Sequence, residues 1–214
     1  MKKLLAVLAM VATVSFFVGT AYADTIFCGD QSDLQRQPFA LFDYAQSFTT
    51  PNDGQDRTLD SVNLRMSEFG THAADDKYYA VLYNASSDLP TTGLATSTGN
   101  LANDLPAFST FASSTLTFPA GQKPTLTPNT NYSVVIVYPD GDTTGDASDE
   151  VSIRTRNASD VCSGQMAYND RRVASVSGWT LGFDFDFSPF YFNFSIATVA
   201  TAAPIPSDII LFGF

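Results

Sequence analysis

The stretch DGDTTGDASDE, Asp140 to Glu150, sets five acids within eleven residues. Hard carboxylate oxygens on a glycine-containing loop suit Ca²⁺, and binding the ion would relieve the repulsion among the clustered acids. Asp140, Asp142 and Gly145 fall at positions 1, 3 and 6 of an EF-hand-like loop, but position 5 is Thr144 and Glu150 comes one residue early. Asp140, Asp142, Asp146, Asp149 and Glu150 are therefore candidate calcium ligands, set against a solvated acidic loop. Asn52-Asp53-Gly54 with Asp56 is a lesser acidic group that reads foremost as a turn. No motif requires a cofactor, and calcium is the one metal the residues suggest.

Catalytic chemistry finds less to work with. His72 is the only histidine, beside Gly70 and Asp75-Asp76, and no nucleophile-elbow motif supplies a serine for it. Asp184 and Asp186 are paired as in a glycosidase, yet their alternation with Phe183, Phe185 and Phe187 describes the wet face of a strand. One histidine and two cysteines do not make a common zinc site. The expectation is a protein without enzymatic activity.

Two further groups could bind or brace. Cys28 and Cys162 are the only cysteines, and a bridge between them is expected in an oxidising compartment, with two separate thiols as the alternative. Trp179 and Tyr191 pair a ring face with a polar tip and are candidates for stacking a sugar. Arg171-Arg172 reads as a loop salt bridge, with contact to an acidic polysaccharide as the sharper alternative. Asn84, Asn131, Asn157 and Asn193 stand in N-x-S sequons.

The elements that must position these residues are strands. Val62, Leu64 and Met66 alternate with Ser61, Asn63 and Arg65, as in a strand with one buried face. YYAVLY (Tyr78 to Tyr83) and YSVVIVY (Tyr132 to Tyr138) are apolar on both faces and read as central strands. Phe108 to Phe118, Val151 to Thr155 and Tyr191 to Ala197 add extended runs, separated by Pro, Gly and Asn turn chemistry. From Thr58 onward no helical period is sustained. The pattern predicts an all-β, antiparallel, jelly-roll-like sandwich of about eight to ten strands. The aromatic stretch FDFDFSPFYFNF, Phe183 to Phe194, fits inside such a sandwich as packed strand.

The termini address compartment. Lys2 and Lys3 precede an apolar run from Leu4 to Val18, and Ala21-Tyr22-Ala23 fits signal peptidase, so cleavage after Ala23 is expected. Cleavage removes two lysines and no acid, deepening a formal charge of −11. That charge argues against nucleic acid and anionic membrane as partners. Residues 24–199 form one expected domain. Residues 200–214 form a tail in which Ala203-Pro204-Ile205-Pro206 looks like the box opening a sorting signal, but only SDIILFGF follows. That is too short to span a membrane, so the tail is a truncated anchor, a free terminus or unrelated to sorting.

Taken in order, AQSFTT, LDSVNLRM, YYAVLYNASSDLPTTGLAT, LTPNTNYSVVIVY, SGWT and FYFNFSIA resemble the choice-of-anchor R domain of bacterial exported proteins, over about Gln46 to Ala197. The resemblance implies an exported surface or matrix protein and carries no catalytic residues. The cysteine pair, the aromatic content and the acidic loop depart from the pattern. Three classes stay open: a structural or adhesive surface sandwich in front, a carbohydrate-binding module as the alternative, and an outer-membrane barrel last. YSVVIVY lacks the lipid-out, lumen-in alternation of a barrel strand, which disfavours the third. The partners implied are extracellular polysaccharide or other surface proteins.

Overall fold

A computed structural model describes residues 23–28, 35–38, 42–107, 110–139, 149–156, 166–170, 179–181, 191–192 and 194–200. Fifteen strand segments are present among them: β1 Ala23–Cys28, β2 Gln35–Pro38, β3 Phe42–Thr49, β4 Arg57–Gly70, β5 Lys77–Ser86, β6 Leu89–Thr96, β7 Asn100–Leu101, β8 Ala112–Thr117, β9 Thr125–Leu126, β10 Asn131–Val137, β11 Asp149–Arg156, β12 Met166–Asp170, β13 Thr180–Leu181, β14 Tyr191–Phe192 and β15 Phe194–Ala200. The only described helical piece is a 3₁₀ turn, Ala102–Asp104. The segments exceed the expected eight to ten partly because β7, β9, β13 and β14 are two-residue pairings that carry no period of their own.

Among the described residues the named strands pair antiparallel and fall into two sheets. One runs β1-β15-β4-β11-β14, with β2 on β11 and both β8 and β9 on β4. The other runs β13-β12-β3-β10-β5-β6, with β7 on β5. Both paths are open, so the architecture is a sandwich with edges. No described helix is long and apolar enough to cross a membrane.

The core lies between the sheets because alternate residues of each turn inward. Tyr44, Phe48, Tyr78, Leu82, Val134 and Ile136 meet Leu59, Val62, Leu64, Met66, Leu116 and Ile153 in one buried cluster. Each such aliphatic side chain contributes about 1.5–3 kcal/mol by leaving water. Strand β4 supplies two phases of that alternation. Opposite β15 the register passes from Ser61 to Leu59, skipping Asp60, and this bulge lets both Leu59 and Val62 face inward. The skipped Asp60 is held by Phe118, whose N–H donates to its carbonyl, and by an ion pair with Lys123.

Strand β10 lies between β3 and β5, and its residues Tyr132 to Ile136 are buried on both faces. Its second face meets a smaller cluster of Ala45, Val135 and Ala167, flanked by Val81, Tyr83, Leu89, Trp179 and Leu181. That explains why YSVVIVY and YYAVLY carry apolar residues on both faces. Strand β1 pairs along β15 from Ala23↔Val199 to Cys28↔Phe194. Cleavage after Ala23 would cost this strand a single residue.

Candidate functional site

The residues expected to stack or bind separate in the structure. Trp179 is half-buried against the Ala45, Val135 and Ala167 cluster beside β13, in one sheet. Tyr191 sits in β14 of the other sheet, opposite Arg156. The two residues thus belong to different sheets. Asp140, Asp142 and Asp146 lie outside the described residues, while Asp149 and Glu150 open β11 opposite Gly70 and Phe69. Cys28 ends β1, and Cys162 lies outside the described residues, as do Arg171-Arg172 and the Phe183 to Phe190 part of the aromatic stretch. Among the described residues no group of three or more His, Cys, Asp or Glu is placed to hold a metal ion.

His72 is held in a chain of polar groups. Its Nδ1 lies 2.8 Å from the Tyr138 hydroxyl and its Nε2 lies 3.2 Å from Glu68 Oε2. The Tyr138 hydroxyl reaches Asp76 Oδ2 at 3.4 Å, and the same oxygen accepts the Ala73 N–H at 2.6 Å. Asp76 is the partner that sequence placed near His72; Glu68 and Tyr138 are supplied by β4 and the end of β10. The imidazole side chain is only 1% exposed. A substrate in solvent does not reach it, so the group braces the loop at 71–76. That loop passes the brace on: Asp76 C=O accepts the Ala102 N–H at 3.0 Å, and Ala73 C=O accepts Asn103 Nδ2 at 2.8 Å.

Beside the braced turn the sandwich opens into a cleft of about 500 Å³, at the edge where β5 and β7 of one sheet approach β8 of the other. Such a volume lies within the range of small-molecule sites. The short pairing Lys77↔Leu101 and Tyr78↔Asn100 places β7 here. Three polar groups close the floor across the two sheets. The Tyr78 hydroxyl is 2.6 Å from Ser114 Oγ, and Asn100 Nδ2 donates to Ser114 Oγ at 3.2 Å and to the Thr115 carbonyl at 3.0 Å. Burial pushes the Tyr78 hydroxyl above the usual phenol range. Hydrogen bonds with Ser114 and Asn100 pull it partly back, and the nearby Asp104 carboxylate adds to the rise.

Gly99 fits this wall by close approach, since a Cβ there would collide with the Tyr79 ring. Leu101, Leu105 and Ala112 give the cleft an aliphatic side, while Lys77 and Asp104 bring an ammonium and a carboxylate to its mouth. The arrangement offers donors, acceptors and an apolar surface, and no general acid–base pair held in hydrogen-bond reach. Sequence reasoning missed this site. Ser113 and Ser114 read only as part of the extended run Phe108 to Phe118, Asn100 and Asp104 belong to no motif, and only the sheet pairing gathers them.

No protein-family model matches the chain, and no curated protein matches it. Two solved structures are similar in fold. One is that of the cysteine protease and lectin-like domains of Cwp84, a surface-layer-associated protein of Clostridium difficile. It is 14% identical with a TM-score of 0.52, over 84% of this chain and 36% of that one. The other is a clostridial Cwp84 cysteine protease variant after propeptide cleavage, again 14% identical with a TM-score of 0.52, over 84% of this chain and 40% of that one. The chain thus spans well under half of either, and the likeness is one of β fold.

Proposed function

We propose that this chain is an exported β-sandwich that works at the cell surface as a structural or adhesive module, without catalysis of its own. The observation that carries the reading is the contrast in access between its polar groups. The histidine with its carboxylate and phenol partners is sealed in the fold, whereas the open cleft carries recognition groups and no paired acid and base. The resemblance to choice-of-anchor R domains supports export to the surface. So does the signal-like start of the chain, with cleavage after Ala23. The fold likeness to a surface-layer-associated protein agrees with that location.

Carbohydrate binding is the second reading, favoured by the lectin-like region in the matched structure and by the hydroxyl-, amide- and carboxylate-lined cleft. The location is tested by shaving intact producing cells with protease and fractionating the remainder. The tagged chain should be cleaved from outside and begin at Asp24. Recovery of an uncleaved chain in the cytoplasm would sink the proposal.

A further inference from the structure

We infer that the edge cleft is a binding site for a neutral saccharide, with Asp104 and the side-chain carbonyl of Asn100 accepting sugar hydroxyl groups and Lys77 donating to a sugar oxygen. The inference deepens the surface-module reading, on which it rests only for where the ligand would be met.

Both Asn100 amide hydrogens are directed inward, toward Tyr78, Ser114 and Thr115, which fixes the side chain and leaves its Oδ1 as an acceptor for a ligand. A group locked by such bonds does not have to be ordered again when a ligand binds. Asp104 follows on the 3₁₀ turn that the braced loop holds through Ala102 and Asn103. Neither the Asp104 carboxylate nor the Lys77 ammonium has an ion-pair or hydrogen-bond partner among the described residues, and both residues are exposed at the cleft. A carboxylate oxygen pair accepts two adjacent hydroxyl groups in charge-assisted bonds. The aliphatic wall of Leu101, Leu105 and Ala112 suits the C–H face of a sugar ring.

Charge then selects among saccharides. One ammonium and one carboxylate cancel within the cleft, and the remaining lining groups are neutral hydroxyls, amides and aliphatics. The chain as a whole carries a formal charge of −11. A uronic-acid or sulfated polymer would be repelled by that field, while a neutral hexose chain would not.

The test is titration calorimetry of the full mature chain. Cellohexaose, laminarihexaose, maltohexaose and mannohexaose serve as neutral probes, and tetragalacturonate as the acidic one. At least one neutral probe should bind, with an affinity that does not change between low and high salt. Asp104→Ala should weaken that binding by about tenfold or more, as loss of a charge-assisted bond does, while its thermal melt stays in place. Ser113→Trp, which fills the mouth, gives the same readout if Asp104→Ala proves poorly folded. The inference is overturned if no neutral probe binds, if a folded Asp104→Ala keeps full affinity, or if tetragalacturonate binds more tightly than every neutral probe. A chain that binds sugar in this assay but is absent from the cell surface would sink the location and leave the cleft standing.

Discussion

Two polar regions lie at one end of this sandwich and handle their hydrogen bonds in opposite ways. Around His72, an imidazole, a phenol and two carboxylates satisfy one another, and the ring is sealed. Around Asn100, another phenol and a serine close only the floor of a cleft, while Asp104 and Lys77 face solvent. Each region contains a buried tyrosine, so residue type alone does not tell them apart. Leftover capacity does. A polar group whose bonds are all met inside the protein holds the fold, whereas one with acceptors left over at an opening is available to recognise something. The first region also positions the second, since the loop bearing His72 and Asp76 ties down the turn that carries Asp104.

If that division is right, the largest stability loss comes from the sealed region. His72→Ala removes a buried ring and strips Tyr138 and Glu68 of a partner, a cost of about 2–4 kcal/mol. Denaturant unfolding of the variant beside Asp104→Ala checks this. The histidine variant should show the earlier midpoint by a wide margin. Equal midpoints would erase the distinction between the two regions.

Tyr78→Phe probes the seam between them, because its hydroxyl is sealed yet forms the cleft floor. Losing the bond to Ser114 should cost about 1 kcal/mol at neutral pH. Burial raises the Tyr78 hydroxyl above the ordinary phenol value of about 10. The folded state therefore holds this proton more tightly than the unfolded chain. The stability so gained is fully present below pH of about 10 and is lost as pH climbs toward the raised value. Melting curves from neutral to strongly alkaline pH should show the gap between wild type and Tyr78→Phe constant at first and narrowing above about pH 10. A gap that stays constant throughout would mean the hydroxyl titrates as if exposed.

The sequence made the scaffold legible where packing is regular and left the site hidden where it is not. Val62, Leu64 and Met66 are all buried on the inner face of β4, as their alternation requires. The doubly apolar runs of β5 and β10 sit inside a sheet, as predicted. Strands β1, β2 and β3 precede Thr58, where the readable pattern begins. QRQP in β2 has no apolar face and is a strand only because it pairs with β11, with Pro38 tolerated on an outer strand. In β3 the buried Gln46 stands between Tyr44 and Phe48 and breaks the apolar period. The cleft was illegible for a different reason. Lys77, Asn100, Asp104 and Ser114 come from three segments whose only link is antiparallel pairing and cross-sheet hydrogen bonds. His72 was visible as a candidate, but its burial depends on Tyr138, which is 66 residues away in sequence.

The smallest effect comes from a third arrangement, open but fully partnered, which separates exposure from leftover capacity. In the turn before β4, Asp53 pairs with the Arg57 guanidinium through both carboxylate oxygens and accepts the Gln55 N–H at 3.1 Å. The Arg57 bonds chiefly, with the Gln55 N–H next, hold its carboxyl at about 2, below the usual aspartate value. A depressed folded value stabilises the protein above the unfolded aspartate value of about 4, and that gain disappears as pH falls through the folded one. Water screens the exposed Asp53 carboxylate, and the buried Arg57 guanidinium keeps its bond to the Gln55 carbonyl, so Asp53→Asn should lower the melting temperature at neutral pH by no more than about two degrees. The gap between wild type and variant should shrink between about pH 4 and pH 2 as the wild-type carboxylate is protonated. Sugar titrations should give identical affinities for the two proteins, because every acceptor of Asp53 that matters is already taken. A loss of sugar binding in Asp53→Asn would show that exposed carboxylates act at a distance through the overall field, and that leftover capacity at the cleft is not what selects the ligand.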